Sequence, residues 1–163
     1  MAADPGRFRA IAGAAQLLKS LTNSASPMIV GAGPWPEPVE RRAPPSTKVP
    51  FAIATGGWFR SAKLKLRAAG LPVERLLASA DDSPHRTEIF RLARERAVAS
   101  LTSPPARTPL IGDGTWDVKV AAELGWSYVG VGTGERESAL RAAGATVVVP
   151  DFADLERVSA VIC

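Results

Sequence analysis

Apolar positions along the chain follow two rhythms. Short unbroken runs at 51–54 (FAIA), 75–79 (RLLAS), 108–112 (TPLIG), 127–131 (SYVGV) and 146–149 (TVVV) have the length and composition of buried strands. Between them, apolar residues recur at helical spacing. The spacing predicts helices over 11–21 (Ile11, Ala14 or Ala15, Leu18, Leu21) and 59–69. It predicts others over 84–100 (Ile89 or Phe90, Ala93, Ala97), from about Asp117 to Leu124, near 135–143 and near 152–160. Gly70 and Gly125 stand where left-handed C-terminal caps belong. Ser83-Pro84 reads as a helix start, with serine as N-cap and proline in the first turn. Strands alternating with helices predict an α/β chain, a parallel sheet with helices on both faces. LRAAG occurs at 66–70 and at 140–144. It reads as a recurring helix exit, with alanines against a sheet and a glycine cap, rather than as a duplication.

One stretch breaks the rhythm. Residues 26–50 (SPMIVGAGPWPEPVERRAPPSTKVP) carry seven prolines and no sustained period. Proline fixes φ and removes a backbone donor, so neither a helix interior nor a central strand fits there. The expected organisation is an N-terminal helix within 1–25, a proline-rich loop or disordered insert over 26–50, and an α/β core over 51–163.

Composition narrows the class. A chain of 163 residues is long enough for one domain with its own core. The net charge of +4 permits nucleic-acid binding, but no basic stripe interleaved with aromatics argues for it. The basic run 60–67 (RSAKLKLR) reads as a solvated helix face. Cys163 is the sole cysteine, which excludes an internal disulfide and a cysteine-based zinc site. No apolar run reaches the ~20 residues of a membrane span, and the N-terminus lacks the build of a signal peptide. The default expectation is a soluble cytoplasmic protein with no nucleic-acid or membrane partner.

Ligands of open α/β sheets bind beyond the carboxyl ends of the strands. Three polar groups are expected there: Thr55-Gly56-Gly57, Asp81-Asp82, and Asp113-Gly114-Thr115-Trp116-Asp117. Asp113 leaves a strand and Asp117 opens a helix one turn of chain later, so both carboxylates can face one crevice. Mg²⁺ takes one or two carboxylates, keeps waters, and accepts phosphate oxygens for the rest. The plainer alternative has Asp117 capping its helix and Asp113 filling a turn. Thr55 offers a hydroxyl, and the glycines let backbone N–H groups approach a phosphate, although a Thr-Gly strand exit is common in itself. Arg86, near the start of its helix, could offset phosphate charge or simply lie on the surface. His85, the only histidine, reads as a surface residue, and Asp81-Asp82 as a turn leading into the next helix.

The ordered set strand–Thr55–Gly56, then Arg86, then strand–Gly112–Asp113–x–x–x–Asp117 resembles motifs II, III and IV of the haloacid dehalogenase-like (HAD) hydrolase superfamily. FAIATGGWFRSAKLKLRAAGLP and PLIGDGTWDVKVAAELGWSYVGVG are similar to its phosphatase-like members over roughly 51–155. The resemblance implies a Rossmann-like domain and Mg²⁺-dependent phosphomonoester hydrolysis through a phospho-aspartyl intermediate. By motif position, Thr55 and Gly56 would bind phosphate, Arg86 would stabilise charge, and Asp113 and Asp117 would hold Mg²⁺. A small phosphorylated substrate or ligand would be the partner. Residues 1–25 would be a remnant of the junction between cap and core.

The family's first motif is Asp-x-Asp-Gly-Thr, and this sequence does not contain it. No nucleophile is found, so the scaffold is expected to be N-terminally truncated and inactive as an isolated chain. The strand bearing that motif would sit centrally. Its absence is expected to leave apolar neighbours and unpaired edges that encourage self-association or a partner chain. The alternative is a non-catalytic module that binds a phosphorylated ligand or a partner.

Overall fold

The computed structural model describes residues 10–23, 50–71, 76–99, 101, 105–156 and 158. Ten elements follow in order: α1 (Ala14–Asn23), β1 (Ile53–Ala54), α2 (Phe59–Ala68), β2 (Leu77–Ala78), α3 (Arg86–Val98), β3 (Pro109–Gly112), α4 (Thr115–Leu124), β4 (Ser127–Val131), α5 (Glu135–Ala142) and β5 (Val147–Val149). The expected α/β alternation is present, and every strand pairing is parallel. The proline-rich stretch up to residue 49 lies outside the described residues. So does most of the expected final helix, although residues 155, 156 and 158 are helical.

The larger sheet, in order β3-β4-β5, shows why unbroken apolar strands suit a parallel sheet. Successive side chains point to opposite faces. Ile111, Val129, Val131, Val147 and Val149 pack on Leu17 of α1 and on Phe152 and Val158. Leu110, Tyr128 and Val148 take the other face. There they meet Val120 and Ala121 of α4 and Phe90 of α3 on one side, and Val118 and Leu140 on the other. Both faces are therefore covered, and polar alternation within a strand would bury unpaired groups.

The sheet is divided. Among the described residues β1 pairs with β2 in a separate two-stranded sheet, and neither is bonded to β3. Helix α3 bridges the division. Its Ile89 and Ala93 pack on Ala52, Ala54 and Ala78, while its Phe90 packs with Leu110, Val120 and Ala121. Ala54 touches this second cluster too, so β1 and β3 lie on either side of a common apolar floor. The expected parallel α/β arrangement is present, as two plus three strands among the described residues.

Several boundaries shift for local reasons. Helix α3 starts at Arg86 rather than at Pro84, with His85 in the N-cap position and no side-chain cap. Ser83 does not cap it; its hydroxyl accepts the His85 N–H at 3.1 Å and closes a tight turn instead. Helix α4 begins at Thr115, two residues before the expected Asp117, because Gly114 is the extended N-cap residue. The LRAAG exits behave as expected: Gly70 and Gly144 have φ of +70° and +110°.

Leu140 is fully buried between β4 and β5, with its Cδ1 against the bare Cα of Gly130. Leu140→Ala is expected to lower stability by about 2–5 kcal/mol, the range for a leucine cavity that its surroundings only partly refill. Urea unfolding checks this. A midpoint unchanged from wild type would show that α5 is not anchored as described.

Candidate functional site

The site is built where β1 and β3 end. Thr55 leaves β1 with its N–H bonded to the Ala78 carbonyl at 3.0 Å. Its hydroxyl accepts the Gly57 N–H at 3.1 Å, which curls the loop and leaves the hydroxyl proton free to donate. Gly56 follows in the open. A Cβ built there would stand 2.7 Å from Arg86 Nη1, so the guanidinium lies directly over this backbone.

Arg86 is the first residue of α3. It donates to one oxygen of Asp117 twice, Nε at 3.1 Å and Nη2 at 2.8 Å to Oδ1. Its guanidinium also stands 5.8 Å from the Phe90 ring centroid and 5.5 Å from that of Trp116. Aromatic faces and a carboxylate both favour the cation, so its position is over-determined. Asp117 lies in the first turn of α4, with only 8% of its side chain exposed. Its other oxygen, Oδ2, crowds Gly112, where a Cβ would come within 2.7 Å. Thus Gly112 at the end of β3 has to be glycine for the carboxylate to reach its place.

Asp113 is open to solvent, and its Oδ2 accepts from Arg136 Nη1 at 2.5 Å. Arg136 stands in the first turn of α5, beyond Gly132-Thr133-Gly134. A second residue binds the loop from beneath. Tyr128 donates its hydroxyl to the Gly112 carbonyl at 2.8 Å and, more weakly, to that of Gly114 at 3.3 Å. Burial, then the negative charges of Asp117 and Asp113, push this hydroxyl well above its ordinary range. It stays a neutral donor at any physiological pH, and both carboxylates act on it.

The structure therefore brings Gly56, Arg86 and Asp117 into direct succession, with Thr55 and Asp113 on the two adjoining loops. Sequence reasoning missed Arg136 and Tyr128. A cation in a helix's first turn opposes the helix dipole, which is a signal that it has another partner. A lone tyrosine in an apolar strand needs an acceptor for its hydroxyl, which is the second signal.

The remaining candidates lie elsewhere. Asp81 Oδ2 accepts the Phe59 N–H at 2.5 Å and so closes the N-terminus of α2. Asp82 accepts from Arg96 Nη2 at 2.5 Å and from the Ser79 N–H at 2.8 Å. Asp82 sits in a turn, whereas Asp81 caps the preceding helix α2 rather than leading into α3. His85 is exposed. Among the described residues no three His, Cys, Asp or Glu side chains converge as a metal site. A cation here would have two carboxylates and would need water and ligand oxygens besides, a donor set that fits Mg²⁺. No helix among the described residues is long and apolar enough to cross a membrane.

The Arg96 guanidinium, with the Ser79 amide, holds the Asp82 carboxyl below its ordinary value of 3.8. A carboxyl lowered on folding adds stability that is complete above its unfolded value and is lost as pH falls through the folded one. Wild type should accordingly lose stability below about pH 4, and Asp82→Asn should be less stable at neutral pH with a flatter acid limb. Denaturation at a series of pH values reads this; parallel acid limbs would contradict it.

Comparison with known proteins adds three findings. Residues 89–155 match the model of a family described as HAD-hydrolase-like. No curated protein is matched. Among solved structures, a hydrolase from Pseudomonas syringae superposes with a TM-score of 0.66 at 22% identity, covering 95% of this chain and 62% of that one. A conserved haloacid dehalogenase-like protein of unknown function from Agrobacterium tumefaciens gives 0.61 at 19%, covering 92% and 60%. A candidate beta-phosphoglucomutase from Bacteroides vulgatus gives 0.59 at 16%, covering 93% and 54%. At these identities the likeness is one of fold. The chain spans only about three fifths of the structures it matches.

Proposed function

We propose that the chain is a haloacid dehalogenase-like scaffold that holds a phosphate monoester with Mg²⁺ and does not turn it over alone, a reading supported by the family match over residues 89–155 and by the likeness of fold. The observation that carries this reading is the Gly56–Arg86–Asp117 contact, because it joins the Thr55 loop to the aspartate loop at one crevice. Each group then has a task. The Thr55 hydroxyl donates to a phosphate oxygen. The Gly56 N–H supports it, since the Gly57 N–H is already taken by Thr55 Oγ1. Arg86 Nη1, which does not bind Asp117 and faces the Thr55 loop, offsets phosphate charge.

Asp113 and Asp117 are the residues that would hold Mg²⁺, which supplies charge neutralisation for the phosphate when bound. In the free chain each is balanced by a guanidinium, Arg136 and Arg86 respectively. These pairs keep two neighbouring carboxylates compatible with each other, and a cation has to displace at least the exposed Arg136 contact. Among the described residues none is placed to supply the attack. The sequence contains no Asp-x-Asp, and His85, the N-cap residue of α3, is exposed. Positioning and charge stabilisation are present; the nucleophile of covalent phosphoryl transfer is not.

Binding and turnover separate under this reading. Calorimetry with inorganic phosphate in the presence of MgCl₂ should show saturable binding. Thr55→Val should weaken it about tenfold or more, the loss of one hydrogen bond to a charged group. para-Nitrophenyl phosphate should not be hydrolysed above background. Release that disappears in Asp113→Ala would overturn the claim of inactivity; absence of any phosphate binding would overturn the site.

A further inference from the structure

Among the described residues the large apolar side chains left exposed are Ile11, Trp58, Leu64 and Trp116. Single apolar residues scattered over a surface are ordinary. The two tryptophans are not scattered. Trp58 follows Thr55-Gly56-Gly57 as the N-cap residue of α2, and Trp116 stands between Asp113 and Asp117 in the first turn of α4. Each of the two loops that carry the crevice therefore carries an exposed indole.

Trp116 is placed by particular contacts. The Arg86 guanidinium lies over its ring, 5.5 Å from the centroid, yet 58% of the residue stays exposed. The indole folds back on the loop that leads into α4, where a Cβ built on Gly114 would stand 2.3 Å from its Nε1. Gly114 has φ −107° and ψ 140°, a conformation that any residue adopts. Glycine is needed at 114 for the space that the indole takes, and the backbone does not require it. Arg86 has Asp117 and Phe90 to hold it besides the indole. The exposed part of the ring is thus a flat apolar surface beside the cation that faces the phosphate. A phosphate held at Thr55 and Arg86 still has its ester group to place. A saturated or charged group gains little from an indole; an aromatic ring gains both burial and stacking.

We propose that Trp116 selects the organic part of the ligand, and that the chain prefers phosphate monoesters whose ester group carries an aromatic ring close to the phosphorus. This rests on the phosphate reading above and names the ligand class of that same site.

Calorimetry on the full chain with phenylphosphonate and with methylphosphonate, in the presence of MgCl₂, tests it. Neither probe has an ester bond to break, so binding alone is measured. The readout is the ratio of the two affinities, which cancels any general loss at the phosphate site. Wild type should bind phenylphosphonate about tenfold more tightly. Trp116→Ala removes the ring and Gly114→Ala pushes it aside, and each should bring the ratio close to unity. Trp116→Phe should keep part of the preference. A wild-type ratio close to unity, with methylphosphonate still bound, overturns the proposal and leaves the phosphate reading standing. A preference that survives in Trp116→Ala also overturns it, even if both affinities fall, because the ring would then only shelter the Arg86–Asp117 pair. Saturable binding of neither probe overturns the phosphate reading and this proposal with it.

Discussion

Everything at the head of this molecule depends on where the guanidinium of Arg86 sits. It lies over Gly56, binds one oxygen of a buried Asp117, and rests beside two aromatic rings. Without it the buried Asp117 carboxylate would lose its ion-pair partner, and a buried charge left alone costs several kcal/mol. Gly112 and Gly56 are glycines because the pair occupies the space their side chains would need. Helix α3, which starts with Arg86, is also the element that packs on both sheets. One ion pair thus fixes the relative position of two loops that the hydrogen-bonded ladder does not connect.

The same pair sets the charge state of the crevice. Asp113 follows β3 and Asp117 lies in the first turn of α4, and each carboxylate carries a guanidinium. The exposed Arg136 contact is weak by nature, since solvent-exposed ion pairs contribute about 0–1 kcal/mol. The Arg86 contact is sheltered. A divalent cation would therefore exchange with Arg136 more readily than with Arg86. Tyr128 holds the loop carbonyls from below and keeps the turn in shape whichever cation is present.

Much of this was legible in the sequence because period and chemistry agreed. The run SYVGV became β4 with both bounds as expected, since its interior is apolar on both faces and glycines stand at Gly125 and Gly132. Thr55, Gly56, Asp113 and Asp117 stand out by their places after strands and Arg86 by its place at a helix start, and Arg86 and Asp117 meet. Other features were hidden. Ser83 makes a turn rather than a cap, a choice between two local hydrogen bonds that composition does not decide. Arg136 is remote in sequence from the aspartate it binds, so no local spacing reveals it. The split of the sheet is a property of strand pairing, which periodicity within one strand does not encode.

The measurement that bears most directly on this account is a double-mutant cycle on Arg86→Met and Asp117→Asn, read by equilibrium unfolding. If the pair organises the two halves, the single changes should not add, and the coupling should be roughly 1–3 kcal/mol. The Arg86→Met change should be the more damaging, because it leaves the buried carboxylate alone. Single effects that add to within about 0.3 kcal/mol would mean that the two side chains are neighbours without being partners, and the account of the site would fail.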